Sequence, residues 1–295
     1  MDVCSKSPVY GVSANGVSTF GKVMVYPFSG VVDIIGSDKA DFREPGWEVR
    51  KRDQVSAKKA KPQGEPDEAS MLRSMRRAKA SVRRIALSNE FAWFVTLTLD
   101  QKKIDRYDDA AVVRKLNQWC SNQVKRRGLK YVLVPERHKD GALHFHGFFN
   151  DVLEARESGH TDSNSHMIFN LPGWTLGFTA AIRIYGDYAQ AVGYVCKYIG
   201  KQGDKPCGRW YYSGGELVKP DVAYVDISAA DVMEQFGGAA YEMRVPGRRL
   251  AIVRDAERRG EDGTGDLQDV GRDGLFEQME GLCVPCGGCG VHAQV

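Results

Sequence analysis

The sequence predicts an α+β fold, a sheet with helices packed against it, and three observations carry that reading. Residues 93–99 (Trp-Phe-Val-Thr-Leu-Thr-Leu) are a run of β-branched and aromatic side chains suited to a strand. Residues 109–127 place Val112, Val113, Leu116, Trp119, Cys120 and Val124 at helical spacing, between an aspartate that can cap the start and Gly128 that can end it. Residues 130–136 and 143–150 are two further strand-like runs, and the Asp140-Gly141 pair between them suits a hairpin turn.

The remaining elements follow in order. Residues 1–45 hold short apolar runs at 23–26 and 31–35, broken by Gly and Ser, which suit a small hairpin or an irregular arm. Residues 46–66 are polar and basic with Pro62 and Pro66, the composition of a solvated linker. A helix is expected from Asp67 to Leu87, since proline and acids favour a first turn. Its apolar face is read as Leu72, Met75, Val82 and Ile85, and Arg73, Arg76, Arg77, Lys79, Arg83 and Arg84 crowd the rest. Asp108 or Asp109 caps the helix that follows the first strand. Residues 151–170 read as polar loop, 177–185 alternate like a fourth strand, and Asp187 caps a further helix. Residues 207–253 read as strand and loop, and 254–295 as a disordered acidic, Gly-rich tail. The expected division is therefore an arm and basic linker over 1–66, a main domain over 67–253, and the tail.

A chain of 295 residues can bury one substantial core. The net charge of +3 conceals an uneven distribution. Residues 254–295 hold four Arg against nine Asp and Glu, which leaves 37 basic and 29 acidic residues in 1–253, a net +8. A basic body favours a polyanionic partner without requiring one. Seven cysteines, four of them scattered (Cys4, Cys120, Cys196, Cys207), outline no disulfide framework, and a reducing cytoplasm is the simpler expectation. Cys283, Cys286 and Cys289 with His292 have suggestive zinc spacing, but lie in the glycine-rich tail without a core nearby. No run of about 18 apolar residues occurs, so no membrane association is expected.

The chemistry concentrates in two places. Leu143-His144-Phe145-His146-Gly147 puts two histidines at i and i+2 on a strand, so both imidazoles point to one face and Phe145 to the other. Across a hairpin turning at 137–141, Glu136 falls opposite His144. Two imidazoles and a carboxylate leave positions open for water and substrate oxygen, as a catalytic Mg2+ or Mn2+ requires. Stacked or buried histidines and a charged strand end are the ordinary alternative. His138 is read as solvent-exposed in the turn.

Residues 194–201 (Tyr-Val-Cys-Lys-Tyr-Ile-Gly-Lys) carry two phenols four residues apart, hence on one helical face, with Lys201 continuing that face and Lys197 bordering it. A phenol with a pKa near ~10 is a weak nucleophile at neutral pH. A nearby cation lowers the cost of phenolate, and lysines offset the charge of a phosphoryl group in transfer. Two tyrosines packing on a core is the competing account of the same spacing.

Taken together, residues 94–100, 141–147 and 194–201 match three motifs in their order, and the sequence resembles the HUH endonucleases, specifically the rolling-circle replication initiators of phages and plasmids. The resemblance covers roughly residues 70–250. It implies an antiparallel sheet of the ferredoxin-like or RRM-like kind, with the metal histidines on a central strand and the tyrosine helix beside it. The strand of the first motif, with Thr96 and Thr98, is implied in DNA recognition or structural support. His144, His146 and Glu136 become the metal ligands, Tyr194 and Tyr198 the candidate nucleophiles, and Lys197 and Lys201 their accompanying cations. The implied reaction nicks single-stranded origin DNA, leaves a 5′-phosphotyrosine and frees a 3′-OH for a host polymerase. Residues 198–204 resemble the single-tyrosine form of the motif, which favours Tyr198 if one phenol reacts; the tandem spacing equally suits a two-tyrosine enzyme.

No GxxxxGK[ST] phosphate loop is present, so unwinding is expected from a separate helicase. The six cations of the 67–87 helix are candidate phosphate contacts, although a solvated helix face has the same look. Trp210-Tyr211-Tyr212 suits stacking on bases or core packing equally. Three alternatives stay open: a relaxase or single-strand transposase with the same chemistry, a non-catalytic nucleic-acid-binding module, and hydrolysis by activated water. Relaxases tend to surround the metal with three histidines, whereas the trio available here is Glu136 with the histidine pair.

Overall fold

The computed structural model describes residues 11–12, 18–39, 67–201, 205–245 and 248–254. The expected linker at 46–66, and the tail from 255 with its cysteine cluster, lie outside these residues. The chain is α+β, with two antiparallel sheets and four α-helices among the described residues. In chain order the elements are β1 (Gly11–Val12), β2 (Ser18–Val25), β3 (Val32–Lys39), α1 (Glu68–Ser88), β4 (Trp93–Leu99) and α2 (Asp109–Arg127). Then come β5 (Tyr131–Arg137), β6 (Leu143–Phe149), β7 (Arg156–Thr161), β8 (Met167–Asn170), β9 (Gly177–Arg183) and α3 (Tyr188–Tyr198). The last are β10 (Tyr212–Gly214), β11 (Asp221–Val225), α4 (Ala229–Phe236), β12 (Ala240–Val245) and β13 (Arg248–Val253). No helix among them is long and apolar enough to cross a membrane.

These elements group into two compact units, one of residues up to 74 with those from 220 onward to 254, the other of residues 75–219. The first is a sheet in the order β1-β2-β3-β13-β12, with β11 also on β2, and α4 packed on it. The hairpin expected within 1–45 thus exists as β2 and β3, and β3 pairs with β13 over residues 34–39 and 248–253. Asp33 is fully buried in this unit, accepting hydrogen bonds from the Tyr26 hydroxyl (2.8 Å) and the Arg254 guanidinium (2.6 Å).

The second unit holds a seven-stranded sheet in the order β10-β5-β6-β4-β9-β8-β7. Strand alternation gives its central strands two different faces. Trp93, Val95, Leu97 and Leu99 of β4, with Leu143, Phe145 and Phe149 of β6, pack against Val112, Leu116, Trp119 and Cys120 of α2 in one buried cluster. Asp108 caps α2 by accepting from the Ala111 N–H at 3.0 Å, while Asp109 pairs with Arg137 at 2.6 Å. Gly128, at φ 70°, ends the helix in the left-handed conformation. The even-numbered residues of β4 and β6 take the opposite face, which is where α3 packs: Phe94 lies against Tyr194 and His146 against Tyr198.

Four expectations are corrected. Residues 151–170 are not loop throughout, since β7 and β8 form within them; β7 is almost wholly exposed and so lacks the apolar alternation that marks a half-buried strand. Residues 207–253 include a helix, α4. Leu72 does not join the buried face of α1: it is 40% exposed, and the buried positions are Ala78, Val82, Ala86 and Leu87. The tyrosine helix stops at Tyr198, so Lys201 does not continue its face.

Candidate metal centre

The hairpin register pairs Glu136 with His144, and β4 pairs Thr96 with His146. All four side chains are buried on the sheet face away from α2. Glu136, His144 and His146 form a group whose ligand atoms lie within 4.8 Å of one another, able to hold a metal ion. Glu136 Oε2 lies 3.0 Å from His144 Nε2 and 2.9 Å from His146 Nε2, and the two nitrogens are 3.1 Å apart.

Three donor atoms therefore converge on one point. Two imidazole lone pairs facing each other repel unless a proton or a cation lies between them, and the carboxylate adds a third. Adjacent ligands of a six-coordinate ion with bonds near 2.1 Å stand about 3 Å apart, which is the spacing found here. His146 Nδ1 lies 3.1 Å from Thr96 Oγ1. With the proton on Nδ1 the ring donates to that hydroxyl and keeps its Nε2 lone pair toward the group, the usual support behind a metal-binding histidine. The residues fit a divalent cation.

The charges are set accordingly. Burial works to raise the pKa of the Glu136 carboxyl, but hydrogen bonds from His144 and His146, reinforced by their charges, hold it well below the usual carboxylate range. Burial pulls His146 down to about 4; the Glu136 hydrogen bond opposes this, while the charges of His144 and Lys201 add to it. Near pH 7 the carboxylate is ionised and this imidazole neutral, the states that metal binding uses.

The tyrosines stand next to this group. The Tyr198 ring stacks on His146 with centroids 4.1 Å apart and planes at 15°. Phe94 lies parallel to the same imidazole at 6.2 Å. The Tyr194 and Tyr198 hydroxyls hydrogen-bond to each other. α3 is started by Asp187, which accepts from the Gln190 N–H at 3.2 Å, and is followed by Gly200 at φ 80°. A Cβ at Gly200 would stand 2.1 Å from the Met75 sulfur, so glycine serves both the turn and the packing. That turn returns Lys201 to the site, where Nζ sits 3.1 Å from Glu136 Oε1 and 5.6 Å from the Tyr198 ring centroid. Lys197 is exposed.

Other expected residues fall elsewhere. Arg73, Arg76 and Arg77 are exposed on α1, whereas Lys79, Arg83 and Arg84 are half-buried. Thr98 pairs with His144 in register, and its carbonyl accepts from the Trp174 indole at 3.2 Å. Trp210 and Tyr212 are buried, Tyr212 within the main core, so packing accounts for both. The sequence reading set His138 aside as exposed, yet its ring meets His144 edge to face at 5.8 Å, with the side chain 41% exposed. It also passed over Phe94, whose parity on β4 places it with Thr96 on the histidine face.

Residues 92–203 match a family model of replication-associated proteins, those of the ORF2 type. The match runs from the start of β4 past Lys201 and so contains every residue of the metal group and both tyrosines. Comparison with curated proteins and with solved structures gave no significant match. The likeness suggests a role in replication, and the buried Glu/His/His group is compatible with a nuclease.

Proposed function

We propose that this protein nicks and rejoins single-stranded DNA at a replication origin through a 5′-phosphotyrosine, and so initiates rolling-circle replication of a phage or plasmid. The observation that carries the reading is the stack of Tyr198 on His146, which puts a phenol against a ready-made cation group inside the segment similar to replication-associated proteins.

Glu136, His144 and His146 would hold Mg2+ or Mn2+, which supplies polarisation of a phosphate oxygen. Tyr198 is the nucleophile: its oxygen forms a bond to phosphorus as the bond to the 3′ oxygen breaks, and the phenolic proton is balanced by the one the departing 3′-OH gains. The energy of the phosphodiester is retained in the Tyr198–phosphate bond, so the reverse attack by a 3′-OH rejoins the strand. Tyr194, hydrogen-bonded to Tyr198, orients that hydroxyl and is placed to share its proton. Lys201 brings positive charge to the nucleophile and the scissile phosphate. Arg73, Arg76, Arg77, Lys79, Arg83 and Arg84 of α1 contribute phosphate contacts, with Thr96 supporting His146 from behind rather than reading bases. Host polymerase and a separate helicase complete the process in the host cytoplasm.

The test is incubation of the protein with single-stranded origin DNA and Mn2+, followed by denaturing electrophoresis. A detergent-resistant protein–DNA adduct is expected, lost in Tyr198→Phe and with chelator, and retained at a reduced level in Tyr194→Phe. Cleavage without an adduct would instead establish hydrolysis by water and remove the tyrosine mechanism.

A further inference from the structure

A second feature of the 75–219 unit lies directly behind the tyrosine pair. The β7–β8 turn, the end of β9 and the first turns of α3 enclose an open cleft with about 590 Å3 of empty space. That is within the ~300–1,000 Å3 typical of small-molecule sites. We propose that this cleft receives one unstacked nucleobase of the DNA strand, next to the phosphate that Tyr198 attacks.

Its inner wall is apolar, made by Phe94, Ile182, Ala191 and the ring of Tyr194. Its outer side is an aromatic shelf. Tyr185 is 54% exposed and stacks on His166 with centroids 4.8 Å apart and planes at 19°. The histidine is fixed from behind, since Asp162 takes both its backbone N–H at 2.8 Å and its Nδ1 at 3.1 Å. A large exposed aromatic ring held in one orientation offers a flat π surface, which any base can cover. Asn164 and Gln190, both exposed, bring amide groups to the rim. Each has a donor and an acceptor, the pair that a base edge presents in reverse.

Position decides the occupant. Tyr194 lines the cleft, its hydroxyl bonds to Tyr198, and Tyr198 covers His146. The cleft and the metal group are therefore two residues apart along a continuous contact chain, a separation that one nucleotide spans. A single strand drawn across the tyrosines has unstacked bases that need cover, and this is the apolar, aromatic-lined recess beside them.

The inference rests on the nicking reading, but the two can fail separately. The full-length protein is irradiated with oligodeoxythymidine carrying 5-iododeoxyuridine, and cross-linked peptides are identified by mass spectrometry. Links to Tyr185 or His166 are expected. Tyr185→Ala, an exposed position, should weaken oligodeoxythymidine binding roughly tenfold without moving the thermal midpoint. Cross-links confined to other surfaces, or unchanged binding by Tyr185→Ala, would overturn the cleft assignment. A Tyr185 cross-link in a protein that never forms a phosphotyrosine adduct upholds the cleft and removes the nicking chemistry. Normal adduct formation by Tyr185→Ala with unchanged binding removes the cleft alone.

Discussion

Lys201 Nζ stands 3.1 Å from Glu136 Oε1, while both histidines approach the other carboxylate oxygen, Oε2. One carboxylate thus addresses the cation group with one oxygen and a lysine with the other. The lysine is 46% exposed, so its charge reaches outward as well as inward.

Lys201→Ala should therefore slow adduct formation by about 10- to 100-fold, the usual scale for removing one charge-stabilising donor from a site. Divalent-ion affinity should hold or improve, because a competing cation leaves Glu136. Lys201→Arg should recover part of the rate. Rapid-quench kinetics and titration calorimetry separate the two effects, and a parallel loss of ion binding and rate would contradict this division of labour.

Mn2+ should raise the thermal midpoint of the wild-type chain. Saturation at a hundredfold excess over Kd is worth about 2.7 kcal/mol. His144→Ala and Glu136→Gln should lose most of that shift, and Thr96→Val should weaken ion binding about 10-fold through the unsupported His146 ring. Differential scanning fluorimetry with and without chelator reads all three.

Metal-free protein should lose stability as the pH falls from about 6.5 to about 4. Burial, the main cause, takes His146 from 6.5 down to about 4 in the folded chain, so the unfolded chain binds a proton more readily over that interval. Its contribution is fully present above the ordinary value and disappears on approach to the lowered one. Glu136 extends the loss in the same direction at lower pH, since its carboxylate is favoured by the fold. His146→Gln should flatten the upper part of a plot of unfolding free energy against pH; an unchanged slope would contradict the assignment.

In the other unit, Arg254→Ala leaves the buried Asp33 with the Tyr26 hydroxyl but without its guanidinium. A cost of roughly 3 kcal/mol is expected, at the lower end for a broken buried pair because Arg254 is 34% exposed. Pairing it with Asp33→Asn should recover part of the loss. Chemical denaturation provides the measurement.

Local signals made half of this architecture legible. The strand β4, helix α2 with Asp108 and Gly128, and the β5–β6 hairpin follow from residues at short spacing. Counting across the hairpin turn is enough to set Glu136 opposite His144, so the metal group is legible from the chain alone. Strand β7 escaped because its residues face solvent on both sides. The pairing of β3 with β13 joins residues more than 200 positions apart and has no local signature. Helix α4 did leave a mark, the Ser228-x-x-Asp231 capping box, which goes unread when attention is confined to apolar periodicity. Lys201 belonged to the site for a reason that helical spacing misstates: a glycine turn returns it, not a continued helix.

Gly147 separates the two cation-binding imidazoles from the rest of β6, and a Cβ there would stand 1.9 Å from the Val132 carbonyl of β5. Any larger residue wedges these neighbouring strands apart. Glu136 rides on one of them and both histidines on the other, so the aperture of the donor triangle is governed by a position with no side chain. Electrostatic capability here is held by steric economy in the backbone, and selection on ion binding would act on that glycine as strongly as on the ligands.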